Sequence, residues 1–322
     1  MTMHAAMNAH PAICPVCGSA ARYDFSSRDL MFDRYDRYDY FKCTDCGSVF
    51  LHPMPDMETI SSFYPAHYSI FDSESRVRKV SLLKQAMLRR THGYTHLRVP
   101  LLYRLIGGLL IPFWRLTPLY FIAGGTLLDV GCGNGRFLST MRALGWKVQG
   151  VELSENGVQV CRAAQLPVHH GELASAAFPD ASFDVITVRH VIEHVPQPHP
   201  FMSELARILK PGGLLLVETP NSEALGRRWL GPNWFANEVP RHLILHTRQG
   251  LNLLAARYGL TLLTQRLEST PKIFLNSIDY VLGNHDGKPS RRIGWRRILA
   301  RMYVALAQRT GRGDVIHTTF TK

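Results

Sequence analysis

The chain has 322 residues, with 37 lysines and arginines against 25 aspartates and glutamates, giving a net charge of +12. That length holds a full catalytic core with room for accessory pieces, so one large domain with a small companion is expected. Its hydrophobic share of 46% and charged share of 19% are those of a globular protein and exclude a fibrous or disordered chain. A pI near 9.6 points to an anionic partner: nucleic acid, a membrane surface or a phosphate-bearing substrate.

Four of the six cysteines form two Cys-x-x-Cys pairs, Cys14/Cys17 and Cys43/Cys46, each followed by glycine. Nothing ahead of Cys14 reads as a signal peptide, so a reducing, cytoplasmic setting is expected, where such pairs bind metal. Two knuckles supply four soft ligands in a closed tetrahedron, which suits structural zinc and leaves no open position for catalysis. The intervening polar, aromatic run at 33–40 reads as a β-ribbon arm. Residues 1–52 are thus expected to form a zinc-ribbon-like module.

Residues 53–122 read as a basic helical connector carrying Arg76, Arg78, Lys79, Lys84, Arg89, Arg90 and Arg98. Its apolar part is broken by Arg104, Pro112, Arg115 and Pro118. The uncharged stretches 105–114 and 116–128 fall short of the roughly 18–20 residues needed to cross a bilayer. Packing on the core and lying in the lipid interface remain. From Gly125 short apolar runs at 126–130, 147–151, 167–169, 183–188 and 213–218 alternate with helices starting near Gly135, Ser154, Val191 and Pro200. That alternation predicts a parallel sheet with crossover helices over 123–268. Within it, 220–246 is irregular and is expected to cover a substrate. A helix at 247–258 and a strand at 260–267 follow. Residues 269–322 read as a basic helical insertion before a final strand near 314–320. Between Asp286 and Asp314 no acidic residue occurs, but Lys288, Arg291, Arg292, Arg296, Arg297, Arg301, Arg309 and Arg312 do.

The run Leu127-Leu128-Asp129-Val130-Gly131-Cys132-Gly133-Asn134-Gly135 is a strand entering a glycine-rich turn. Glycines there let backbone approach a ligand, and the following helix aims its N-terminal N–H groups at an anionic group. Glu152, about 20 residues on, is placed to accept both hydroxyls of a ribose. A nicotinamide dinucleotide is the rival ligand. The spacing Gly-x-Gly-x-Gly after an aspartate opposes it, as do the later elements His170-Gly171-Glu172-Leu173, Phe183-Asp184-Val185-Ile186 and Leu209-Lys210-Pro211-Gly212-Gly213.

Together with Val191-Ile192-Glu193-His194-Val195, these motifs resemble the class I S-adenosylmethionine-dependent methyltransferases over about 123–268 plus the closing strand. The resemblance implies an α/β, Rossmann-like seven-stranded sheet whose last strand is antiparallel. It also implies a cofactor site in which the Asp129 loop, with Gly131, Cys132, Gly133 and Gly135, holds the methionyl end. Glu152 and Leu153 would meet the ribose, and Gly171, Glu172 and Leu173 the adenine edge. Arg189 completes the expected cofactor contacts. The family usually has aspartate where Glu172 stands.

At the end of the fourth strand, His190-Val191-Ile192-Glu193-His194 alone would fit a zinc-peptidase helix, but its position after a methyltransferase-like strand opposes that. His190, Glu193 and His194 are spaced to share one helix face. The stretch also resembles ubiquinone-biosynthesis O-methyltransferases, whose Glu-x-x-Glu-His binds a divalent metal beside a catechol. Here His190 replaces the first glutamate. Alternatively Glu193 and His194 only pack the helix, and His190 alone faces the acceptor. A hydroxyl acceptor needs a base, for which His190 and His242 are the candidates. Arg241 is a candidate clamp for a carboxylate or phosphate, or else pairs with His242 to fix its loop.

Paired knuckles, basic helices, the methyltransferase core and Pro240-Arg241-His242 also resemble bacterial methyltransferases of polysaccharide and deoxysugar biosynthesis. The expected acceptor is a sugar, nucleotide-sugar or lipid-linked glycan hydroxyl, O- rather than C-methylated. Basic helices would meet its diphosphate or the inner membrane face peripherally. A quinone or phenol O-methyltransferase is the first alternative and a zinc-ribbon RNA methyltransferase the second. Against RNA, Arg189-His190-Val191-Ile192 lacks the Asn/Asp-Pro-Pro-aromatic motif. A cofactor-free binding module is opposed by the intact loop and Glu152.

Overall fold

The computed structural model describes residues 12–64, 80–110, 119–284 and 294–322. Arg76, Arg78, Lys79, Pro112, Arg115, Pro118, Lys288, Arg291 and Arg292 lie outside them. The chain divides into two compact units. One holds residues 1–67, 188–206 and 216–322; the other holds 68–187 and 207–215.

The first unit opens with β1 (Ala21–Arg28), β2 (Arg37–Cys43) and β3 (Val49–Leu51), consecutive antiparallel strands. The aromatic run at 33–40 therefore splits into a turn and the start of β2. A fourth strand comes from far along the sequence, giving the order β1-β2-β3-β9 with β9 at Ile244–Leu245. Val49 pairs with Leu245 and Phe50 with Ile244. The short helix α1 (Met57–Ser62) is capped by Asp56, which accepts from the Thr59 N–H.

In the second unit come α2 (Leu82–Thr91) and α3 (Leu101–Leu110), then β4 (Thr126–Val130), α4 (Arg136–Ala143), β5 (Lys147–Glu152), α5 (Glu155–Ala163) and β6 (Val168–His170). β4 is buried at four of its five residues, Asp129 among them, as expected of a strand covered on both faces. It pairs in parallel with β5, and β5 with β6. Next are β7 (Phe183–Arg189), α6 (Pro198–Ile208), β8 (Leu209–Pro220), α7 (Leu225–Leu230), α8 (Arg248–Ala256), β10 (Thr261–Glu268), α9 (Pro271–Val281), α10 (Gly294–Arg309) and β11 (Val315–Thr321). β8 starts at Leu209, four residues before the run expected from Gly213. The seven-stranded sheet has the order β10-β11-β8-β7-β4-β5-β6, with β10 and β11 antiparallel. This is the Rossmann-like architecture with a reversed last strand. Among the described residues no helix is long and apolar enough to cross a membrane.

The N-terminal sheet is tied to the irregular 230s and 240s by buried polar contacts. Arg241, 1% exposed, holds Asp29 with both guanidinium nitrogens, at 2.7 and 3.1 Å. The Tyr40 hydroxyl donates to the His242 carbonyl at 2.9 Å. Asp29→Ala would leave a buried guanidinium short of its carboxylate, so chemical denaturation should show a loss of about 3–5 kcal/mol.

Candidate active site

In the second unit β4 delivers Asp129 to the loop. Its buried carboxylate accepts from the Thr187 hydroxyl at 2.6 Å, which fixes the start of the turn. Gly135 sits at φ +70, and a Cβ there would come within 2.4 Å of Leu166 and 2.8 Å of the Cys161 sulfur. Only glycine lets α4 begin there.

Glu152 ends β5 with its carboxylate almost fully buried. One oxygen accepts from the Gly133 N–H at 2.7 Å and the other from the Ser154 N–H at 2.8 Å. Desolvation raises its pKa, against the pull of those N–H donors. Each oxygen keeps a lone pair for a further donor such as a ribose hydroxyl. Gly171 donates its N–H to the Glu152 carbonyl at 3.0 Å, so the 171–173 segment adjoins the carboxylate's backbone. Leu173 is buried; Leu153 and Glu172 are exposed. The expected cofactor residues from Asp129 to Leu173 thus lie on adjoining strand ends of one unit. Arg189 belongs to the other.

The first unit carries the expected acceptor residues, arranged differently from expectation. The helix predicted from Val191 is a single 3-10 turn, Ile192–His194. His190 takes φ +53, which no right-handed helix tolerates, and Val191 follows at φ −131, ψ −45, outside the regular helical region. The common helix face therefore does not form. His190 and Glu193 still meet, Nδ1 to Oε1 at 3.3 Å, with the imidazole half-exposed and the carboxylate fully buried. His194 turns to the Arg241 carbonyl (2.9 Å) and the Tyr64 hydroxyl (3.0 Å) through Nδ1.

Glu193 also accepts from the Thr219 hydroxyl at 2.9 Å, and its carbonyl accepts from the Leu243 N–H at 2.8 Å. Burial opposes its charge, but the His190 hydrogen bond and the surrounding histidines outweigh that and hold its pKa at about 2. For His190, desolvation lowers the pKa; bonding to Glu193 overrides it and the net shift is upward.

His242 is buried and donates from Nδ1 to the Ala236 carbonyl at 2.8 Å. Its Nε2 lies 3.9 Å from the Glu193 carboxylate and 3.5 Å from that of Glu238. Burial pushes its pKa down. Ligand atoms of Glu193, His194 and His242 lie within 4.8 Å of one another. That trio was not legible, since 47 residues separate His194 from His242. Arg241 does not serve as an open clamp. Its guanidinium is committed to Asp29 and to Glu238 at 3.3 Å, a role that fixes the loop.

The knuckles bring Cys14 within 3.7 Å of Cys46 and Cys17 within 3.3 Å of Cys43, sulfur to sulfur. The N–H groups of Val16 and Asp45 point at Cys14 and Cys43, each at 3.4 Å. Four thiolates on about 2.3 Å bonds to one ion would stand about 3.8 Å apart, and this cluster is close to that.

The strand order and the glycine loop are those of the class I S-adenosylmethionine-dependent methyltransferase fold. Comparison agrees over about half of the chain: residues 108–265 match a family described as a methyltransferase domain. A ubiquinone biosynthesis O-methyltransferase of Maricaulis maris is 34% identical over 127 residues, covering 37% of this chain and 50% of that protein. A probable S-adenosylmethionine-dependent methyltransferase of Mycolicibacterium smegmatis is 40% identical over 101 residues, covering 31% and 39%. The chain thus spans about half the length of the curated relatives it matches. Among solved structures, an S-adenosylmethionine-dependent methyltransferase of Archaeoglobus fulgidus aligns at a TM-score of 0.43 and 18% identity, covering 68% of this chain and 94% of that one. The geranyl diphosphate C-methyltransferase of Streptomyces coelicolor aligns at 0.42 and 20%, covering 62% and 73%.

Two measurements test this reading. Glu152→Ala should weaken S-adenosylmethionine binding at least tenfold by titration calorimetry, while the wild-type chain binds. Independently, His246 is fully buried and burial holds its pKa at about 4. The unfolded chain takes up that proton near pH 6.5, so stability is lost as pH falls from there towards 4, by at most about 3 kcal/mol. Urea titrations at stepped pH should show a flatter acid limb for His246→Asn.

Proposed function

We propose that the chain transfers the methyl group of S-adenosylmethionine to a hydroxyl of a sugar, nucleotide-sugar or lipid-linked glycan. The observation that carries O-methylation is the His190–Glu193 pair. A half-exposed imidazole, raised in pKa by a buried carboxylate, suits proton removal near neutrality. His190 takes the hydroxyl proton and Glu193 stabilises the imidazolium that results. The sulfonium is already a good leaving group, so the loop at Asp129 and the ribose carboxylate at Glu152 act by positioning. His242 has Nδ1 committed and is buried, so it is not the base.

A second reading, a quinone or phenol acceptor, is favoured by the relatives named ubiquinone biosynthesis O-methyltransferases. It draws further support from Glu193, His194 and His242. Both imidazoles give Nδ1 to carbonyls, which leaves Nε2 unprotonated, and Oε1 of Glu193 lies 3.9 Å from Nε2 of His242. Three converging lone pairs fit a divalent cation, with carbonyls as the outer partners of its ligands. When bound, such an ion lowers the pKa of a chelating diol. The four knuckle thiolates are assigned to structural zinc, which would stiffen β2 and β3 and through them the 240s.

Transfer of radiolabelled methyl groups to nucleotide-sugars and to dihydroxybenzoates, each with and without chelator, separates the readings. Labelling of nucleotide-sugars alone supports the first; labelling of catechols alone, lost on chelation, supports the second. Labelling of RNA would overturn both. His190→Ala should lower kcat by about 10²–10⁴ and abolish the acid limb of the pH profile, which in the parent rises through a value above 6.5.

A further inference from the structure

We infer that α10 is a membrane-docking helix that lies in the interface of an anionic bilayer. This goes beyond the proposed reaction and holds whichever acceptor is used. The inner face of α10 is fixed. Ala300, Tyr303 and Ala307 are buried, and the Tyr303 ring stacks on Phe274 at 4.4 Å. The Tyr303 hydroxyl donates to buried Asp314 at 2.5 Å and accepts from the Gly226 N–H at 3.0 Å. Arg296 pairs with Asp279 on α9 at 3.0 Å. Rotation of the helix is therefore set, and with it what faces outward.

What faces outward is apolar. Trp295, Ile298, Leu299, Met302 and Leu306 are between 40% and 63% exposed. At 3.6 residues per turn, the five fall within an arc of about 100°. Contiguous exposed apolar side chains mark an interaction surface, whereas single ones do not. Arg301, exposed, lies about 60° beyond the stripe's Ile298 edge, exposed Arg297 lies about 40° further round, and Arg309 falls within the arc at its C-terminal end. The helix has no carboxylate. Trp229, 55% exposed and edge-on to Tyr303, adds a second indole to the same unit.

The charge pattern selects the occupant. A second copy docked stripe to stripe would bring arginine rows together with no carboxylate of the helix between them. Nucleic acid would pair with the arginines but leave five apolar side chains in water. Anionic lipid satisfies both: phosphates meet the arginines while the stripe enters the headgroup–acyl boundary, where indoles are favoured. Sixteen residues rise only about 24 Å, so the helix lies along the membrane and does not cross it.

The test is flotation of the full chain with vesicles of mixed phosphatidylglycerol and phosphatidylcholine, and with phosphatidylcholine alone. Binding is expected to the mixed vesicles and to be at least tenfold weaker to the neutral ones. Replacing Trp295, Ile298 and Met302 together by serine should reduce binding at least tenfold with the melting temperature unchanged. Arg297→Glu with Arg301→Glu should do the same; it decides the matter if the serine variant fails to fold. The proposal is overturned by absence of flotation, by undiminished binding of these variants, or by a dimer in light scattering that the serine variant dissolves while vesicles are ignored.

Discussion

A carboxylate with no solvent exposure has to be matched by donors, and Glu193 organises the first unit by being matched from several directions. Thr219 at the end of β8 gives it a hydroxyl, His190 at the end of β7 an imidazole, and Leu243 binds its carbonyl. Losing Thr219 or His190 leaves a buried charge short of partners, which costs more than the lost contact itself. The same segment that supplies Leu243 supplies β9 to the N-terminal sheet and Arg241 to Asp29. The cysteine knuckles therefore need not touch an acceptor to matter. Their route to the site runs through β2, whose Tyr40 holds the His242 carbonyl, and through β3, which pairs with β9.

The parts of the fold legible in the sequence are those built from local rules. β4 and β7 announce themselves as largely apolar runs because parallel strands are covered on both faces. Gly131, Gly133 and Gly135 are readable because their backbone requirement excludes other residues. Glu152 is readable because its spacing from the loop is fixed by one helix and one strand. The acceptor side was not legible in this way. Arg241 reads as a clamp until Asp29, 212 residues away, is seen against it. Likewise the spacing of His190, Glu193 and His194 promises a helix face. A left-handed His190 and a Val191 outside the regular helical region prevent it. Periodicity is informative only where the backbone is regular, and this segment is where it is not.

Glu152 and Glu193 show two ways of keeping a carboxylate under cover. Glu152 relies on backbone N–H donors, and burial still raises its pKa. Glu193 relies on imidazoles and a hydroxyl, and its pKa falls to about 2. The first arrangement leaves lone pairs open to an incoming neutral donor and suits binding. The second keeps a permanent charge beside a titratable histidine, which is the arrangement proton transfer needs. On the proposed reading, binding and chemistry fall to carboxylates of different surroundings.

The positive charge of the chain takes on a sharper meaning once its arginines are sorted by surroundings. Arg241 is spent on Asp29, Arg227 on Asp24, Arg296 on Asp279 and Arg207 on Asp180. These pairs hold segments together and say nothing about an external anion. Arg297 and Arg301 differ: they stand exposed, one turn apart, on a helix without carboxylates that also carries an apolar stripe. Net charge alone admitted RNA, membrane and substrate phosphate alike. Hydrophobic side chains placed next to the unspent charges separate these, because of the three only a bilayer offers phosphate and hydrocarbon within a few ångströms of each other.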